Sequence, residues 1–346
     1  KISVEHGLSQ SSITSILQDN KGFLWFGTED GLNKYDGYGF TIYRHEPDDP
    51  LSISDNSIKS LFEDSNQVLW VGTHGRGLNR FDRDKEEFTQ YRNNPDDQTS
   101  LANDKVNSIG NDVEGNLWVG TDNGLDRFDP DSEGFVHYTH DPDDPNSLSS
   151  NAIGDIYLDQ DGILWIGTLG GGLNRYDPSS NSFLRYRHEA KNPNKISSAY
   201  VSSISEDNRG NLWIGTRTGG LNFFEKGSEE FFPHRYDANE VDPFGKNSIT
   251  SIDVDSDGNI WIGTNGGGIE IFNPKTGSSQ FLDHDPADSA TLSSDIITEI
   301  LKDPAGNIWV GTLGAGVNRY DPITARFTHY RYIPSNQDSL SANNVT

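Results

Sequence analysis

The chain has 346 residues, a net charge of −26 and an apolar fraction of only 32%. Such a field repels nucleic acid and anionic membrane surfaces, and no run approaches the length of a membrane-spanning helix. Cysteine is absent, which excludes a disulfide framework, thiolate metal sites and a thiol nucleophile, while 11% aromatic residues argue against disorder.

In chain order, the first unit runs from Ile13-Thr14-Ser15-Ile16-Leu17 through Asp19-Asn20-Lys21-Gly22 into Trp25-Phe26-Gly27-Thr28, then Gly31-Leu32-Asn33-Lys34-Tyr35. The same phrase returns around Trp70, Trp118, Trp165, Trp213, Trp261 and Trp309, which with Trp25 are all the tryptophans, at spacings of 45 to 48. A period of that size is the signature of a repeat fold. The fourth unit reads as four short strands: 152–157, then 163–168 after the turn Asp159–Gly162, then 173–176 after Gly170-Gly171-Gly172, then 183–187. Gly, Pro, Asp and Asn bound each run, as hairpins require, and no segment shows helical periodicity. Four antiparallel strands repeated seven times predict an all-β, seven-bladed β-propeller over residues 1–346. Residues 339–346 begin a further repeat, so the natural chain is expected to continue past Thr346. The ring is closed by Phe327–Arg331 alone or by an outer strand from Ile2–Val4. The tryptophans are expected to wedge between adjacent blades, with the following Gly-Thr allowing close approach near the axis.

The phrase Asp19 to Gly37, with Trp25, Gly27-Thr28, Gly31-Leu32 and Tyr35-Asp36 in register, resembles the two-component regulator propeller repeat. The resemblance runs through all seven units. It implies a periplasmic or extracellular sensor ectodomain of a hybrid two-component histidine kinase. In that family two propellers and a β-sandwich precede the membrane helix, ligands are often glycan fragments, and assembly through the full-length receptor is compatible with a homodimer. On this reading the chain is a non-catalytic ligand-sensing propeller with no cofactor, taking an oligosaccharide as ligand. The alternatives are a protein-interaction scaffold without a small ligand, or a glycan lyase or hydrolase.

Functional information should lie where the copies differ. The turns after each Gly-Thr carry Glu29-Asp30, His74-Gly75-Arg76, Asp122-Asn123, Leu169, Arg217 and Asn265. In a propeller these turns ring one channel mouth, and loops on a rigid scaffold are the usual home of binding residues. In the first strand of each unit, Asp155 and Glu299 replace Ser15, Ser60, Ser108, Ser203 and Ser251. A carboxylate there costs several kcal/mol unless paired or wet, so these two are expected to pair with an arginine or water, or to contact something in the channel. Lys34, Arg80, Arg127, Arg175 and Arg319 are expected to pair with the aspartates that open each first turn, Asp19 through Asp303. The acidic loops around Asp48-Asp49, Asp96-Asp97 and Asp143-Asp144 read as turn caps and not as calcium sites. The glycine turns lack the Lys-[Ser/Thr] of a phosphate loop, and no histidine cluster has metal spacing.

Overall fold

The computed structural model describes residues 8–228, 230–234, 245 and 247–330. Within them lie seven four-stranded antiparallel sheets, each made of four consecutive strands, a to d. The a strands are Ile13–Gln18, Ile58–Glu63, Val106–Asn111, Ile153–Leu158, Val201–Glu206, Ile249–Val254 and Ile297–Lys302. Each touches the a strand of the next blade, and the last touches the first, so the ring closes. Arg326–Tyr330 completes the seventh blade as its d strand. Both Ile2–Val4 and the beginning repeat at 339–346 lie outside the described residues.

The b strands explain why the tryptophan phrase repeats. All five residues of each are buried, which is why they read as continuous apolar runs instead of alternating. Trp70 packs with Val106, Ile109, Leu117 and Phe128 of the next blade. Trp309 does the same with Ile13, Ile16 and Phe26, joining blade 7 to blade 1.

The glycine two residues after each tryptophan has an ordinary φ, so its reason is space. A Cβ on Gly72, Gly120, Gly167 or Gly215 would lie 2.5 to 2.6 Å from the first a-strand side chain of the next blade. Gly167→Ala is therefore expected to lower stability by about 1–3 kcal/mol, because its Cβ would meet Val201 Cγ1 at 2.5 Å. Urea unfolding measures this; an unchanged midpoint and slope would refute the close-approach role.

A second glycine, opening strand c, has positive φ and donates its N–H to the chain entering the next blade. Gly31 bonds the Asn56 carbonyl, Gly77 that of Asp104, Gly220 that of Asn247, and Gly316 that of Ser11. The last of these spans the closure of the ring.

Strand c also holds a buried asparagine column. The side-chain oxygens of Asn79, Asn174, Asn222 and Asn318 accept from the N–H of Ser54, Ser149, Ser197 and Ser293, tying each inter-blade loop to its own blade.

The aspartates that open each first turn behave differently from the expectation. Asp19, Asp64, Asp112, Asp159, Asp255 and Asp303 accept the indole N–H of the tryptophan six residues on, at 2.8 to 3.0 Å, and Asp207 does so at 3.4 Å. Their other oxygen caps the turn, as in Asp19 with Lys21 and Phe23 N–H. The predicted pairing with the strand-c cations is thus overturned for Lys34, Arg127 and Arg319, which lie over tryptophan rings at 5.7 to 6.0 Å, and for Arg80, which meets Glu133. The indole satisfies the carboxylate inside the blade, and the cation takes the ring face. Asp19 does pair with an arginine, but it is Arg83 of the next blade.

The acidic loops cap turns. Asp49, Asp97 and Asp144 accept the N–H two residues on, from Leu51, Thr99 and Asn146.

Candidate functional site

The a strands surround a central channel of about 590 Å³. Each carries a β-bulge at its second residue. An ordinary strand would send successive side chains to opposite faces. The bulge instead brings residues two and three of every a strand to the channel wall. The second-residue column is Thr14, Lys59, Asn107, Gly154, Ser202, Thr250 and Thr298, and the third contains five serines with Asp155 and Glu299.

The serine column belts the blades together. The hydroxyl oxygen of Ser108 accepts from Ile156 N–H, that of Ser203 from Ile252 and that of Ser251 from Ile300, each in the next blade. Asp155 makes the same link: its Oδ2 accepts Ile204 N–H at 2.8 Å, while Oδ1 accepts from Ile156 N–H and the Ser108 hydroxyl. The expected arginine partner for Asp155 is therefore replaced by backbone N–H groups and a serine. Burial pushes its pKa up to about 6, against the lowering by those three bonds. Glu299 faces the same lumen, and burial first, then the negative charge of Asp155, push it up to about 8, with Lys59 opposing. At neutral pH its carboxyl is mostly protonated and can donate a hydrogen bond.

Lys59 is the residue that comparison of the copies should have flagged and did not. It is the sole cation of the second-residue column. Among the described residues no carboxylate reaches ion-pair distance of its Nζ. Burial lowers its pKa, as do Arg217 and Lys105, while Glu299 and Asp122 raise it.

The turns past each Gly-Thr divide by position. The first turn residue hydrogen-bonds back to the residue before strand a, as Arg217 N–H does to Tyr200 and Asn265 N–H to Ser248. Leu169, Arg217, Asn265 and Leu313 lie at the channel wall, whereas His74 and Asp122 make the same bond and do not line it. Asp122 lies just beyond it, paired with Lys105 at 2.8 Å and accepting from the wall residue Asn107. Burial raises the Asp122 pKa, but these bonds outweigh it and hold it below the usual range. Neither Glu29 nor His74 lines the channel. The later turn residues are directed elsewhere: Asp30 pairs with Arg44, Arg76 bonds the His45 ring, and Asn123 donates its N–H to the Thr121 hydroxyl. Of the ten residues singled out in the sequence, Arg217, Asn265, Asp155 and Glu299 share one cavity.

Fold and channel define the class: a closed seven-bladed β-propeller around a polar lumen that, among the described residues, holds one ammonium without an ion-pair partner and two carboxyl groups of raised pKa. The sequence pattern of the two-component regulator propeller matches residues 7–30 and 291–314, and that of the SMP-30/gluconolactonase/LRE-like region matches residues 59–280, more than half of the chain. The extracellular domain of a hybrid two-component system of B. thetaiotaomicron, BT3049, superimposes with a TM-score of 0.77 at 30% identity, covering 99% of this chain and 44% of that one. A second extracellular domain from the same organism, of the system BT4673, gives 0.53 at 28% identity over 94% of this chain and 43% of that one. Histidine kinase P4 of Formosa agariphila is 62% identical over 48 residues, 14% of this chain and 4% of the kinase. Virginiamycin B lyase from Staphylococcus aureus, at 17% identity and a TM-score of 0.65 over 92% of this chain and 95% of the lyase, shares the fold alone. The chain belongs to the two-component regulator propeller family and, by the length of the match, to the SMP-30/gluconolactonase/LRE-like β-propellers. It spans less than half of the extracellular domains it matches.

Proposed function

We propose that this propeller is a ligand-sensing part of a two-component receptor, placed in the periplasm or outside the cell, and that it binds a glycan fragment at the channel without chemical turnover. The observation that carries this reading is the Lys59 ammonium, without an ion-pair partner among the described residues, which shares one cavity with Arg217 and Asn265. Its size lies within the range of small-molecule sites. The likeness to extracellular domains of two-component systems supports the signalling role. Occupancy would bias the arrangement of this propeller against further propeller and β-sandwich domains of the same receptor, or against a second receptor copy, through differential affinity for two states.

A thermal-shift screen of oligosaccharides tests the site, since a ligand that binds only the folded chain stabilises it by about 2.7 kcal/mol at a hundredfold excess over Kd. The expected result is a hit whose shift is lost in Lys59→Met and in Arg217→Ala. A hit that stabilises both variants as much as the parent would remove the channel from the proposal. Hydrolysis or elimination of a hit would remove the non-catalytic role.

A further inference from the structure

A second cavity, of about 550 Å³, lies between blades 5 and 6 and shares no residue with the channel. Its wall breaks the repeat at two cross-strand neighbours. Opposite the tryptophan of strand b, strand c has Lys34, Arg80, Arg127, Arg175 or Arg319 in five blades, but Phe223 in blade 5. Facing that residue on strand d stands Thr41, Thr89, Val136, Leu184 or Thr328, but Phe232 in blade 5. Elsewhere Lys34, Arg127 and Arg319 cover the tryptophan ring. Here Phe223 packs on Trp213 at 4.8 Å between centroids, and Phe232 follows at 6.3 Å with 46% of its surface exposed. The groove therefore has an aromatic floor where five of the other blades carry a cation with a smaller side chain and blade 6 carries Ile271 with Gln280.

The rim is polar. Arg209 is exposed, and its guanidinium has no ion-pair partner among the described residues. Lys275 donates to the Asp257 carbonyl, which leaves the Asp257 carboxylate free to accept from hydroxyl groups. An apolar floor with a ring of donors and acceptors is suited to a six-membered sugar ring. Its axial C–H face is apolar and stacks on aromatic rings, while its equatorial hydroxyls need polar partners. The free guanidinium adds a fork that matches a carboxylate or sulfate.

We propose that the groove between blades 5 and 6 binds an oligosaccharide through stacking of one pyranose ring on Phe223 and Phe232, with an anionic substituent held by Arg209. This goes beyond the channel reading and stands without it.

The test uses isothermal titration calorimetry with digalacturonic acid, a 6-sulfated galactose disaccharide and neutral cellobiose. The double variant Phe223→Arg, Phe232→Thr gives blade 5 the pair that blades 2 and 7 already carry, so the fold should tolerate it. Phe232→Thr alone changes one exposed side chain and guards against misfolding of the double variant. The expected result is binding of an acidic disaccharide, weakened about tenfold or more in both variants. Arg209→Gln should erase the preference over cellobiose, and Val136→Thr, at the matching exposed position of blade 3, should leave the affinity unchanged. Loss of binding in Lys59→Met with full affinity in Phe232→Thr would place the sugar in the channel and overturn the groove. Failure of both acidic disaccharides to bind the unmodified chain at about 10 mM would overturn it as well.

Discussion

Trp118→Ala is expected to lower the free energy of unfolding by about 3–5 kcal/mol, among the largest losses a single substitution can cause here. Trp118 is fully buried and packs with Ile153, Ile156 and Leu164 of the next blade. Its ring lies 5.1 Å from Tyr138 and 4.9 Å from Tyr176. Two losses add in this variant: a cavity opens in a blade interface, and the Asp112 carboxylate loses the indole N–H at 2.9 Å. Trp118→Phe separates them, because it keeps most of the ring and removes only the donor, for an expected cost of about 1–3 kcal/mol. Guanidinium unfolding followed by circular dichroism gives both values. Equal losses in the two variants would mean that the hydrogen bond, and not the wedge, holds the interface.

That contrast also marks what was readable beforehand. The tryptophan column gave the repeat, and the repeat gave blade number, strand order and the wedge between blades, because burial on both faces of a b strand forces one residue pattern seven times. The aspartate column was visible too, yet its partner was not. Linear spacing cannot choose between two donors, and only the tight a–b turn shows that the indole six residues on reaches the carboxylate first. Lys59 was overlooked for a related reason. A regular strand would point residue 59 away from residue 60, so linear spacing does not place it on the same wall as Asp155 and Glu299. The repeated bulge brings both columns to the channel. Phe232 went unread because its strand-d column varies from blade to blade, and its meaning depends on Phe223 across the sheet.

The channel carboxyls make stability depend on pH in a direction opposite to common acid denaturation. Glu299 rises from an ordinary 4.5 to about 8, and Asp155 from 3.8 to about 6, so the folded chain holds these protons more tightly than the unfolded chain. A carboxyl of raised pKa contributes stability that is complete below its unfolded value and is lost as pH climbs through its folded one. For Glu299 that window runs from 4.5 to about 8. Carboxylates of lowered pKa, such as Asp19 and Asp122, act in the other sense, and their stabilisation fades only as pH falls below the usual carboxylate range. Between about pH 5 and pH 9 the channel terms act in the same sense as the raised groups outside it, His137, Glu206 and Asp253, and the chain should be more stable at the acidic end. Glu299→Gln keeps the shape and removes the titration. Because Glu299 is only half-buried, the full shift is discounted, and the variant should gain about 2–4 kcal/mol over the parent at about pH 9 and less than about 1 kcal/mol at about pH 5. Asp155→Ser should act in the same direction but less, since serine restores the residue that links the other blades and accepts the same kind of backbone N–H. Urea unfolding at three pH values measures the difference. Parallel profiles for the parent and Glu299→Gln would mean that the lumen solvates Glu299 as bulk water does, and the link between channel charge and ring stability would fall.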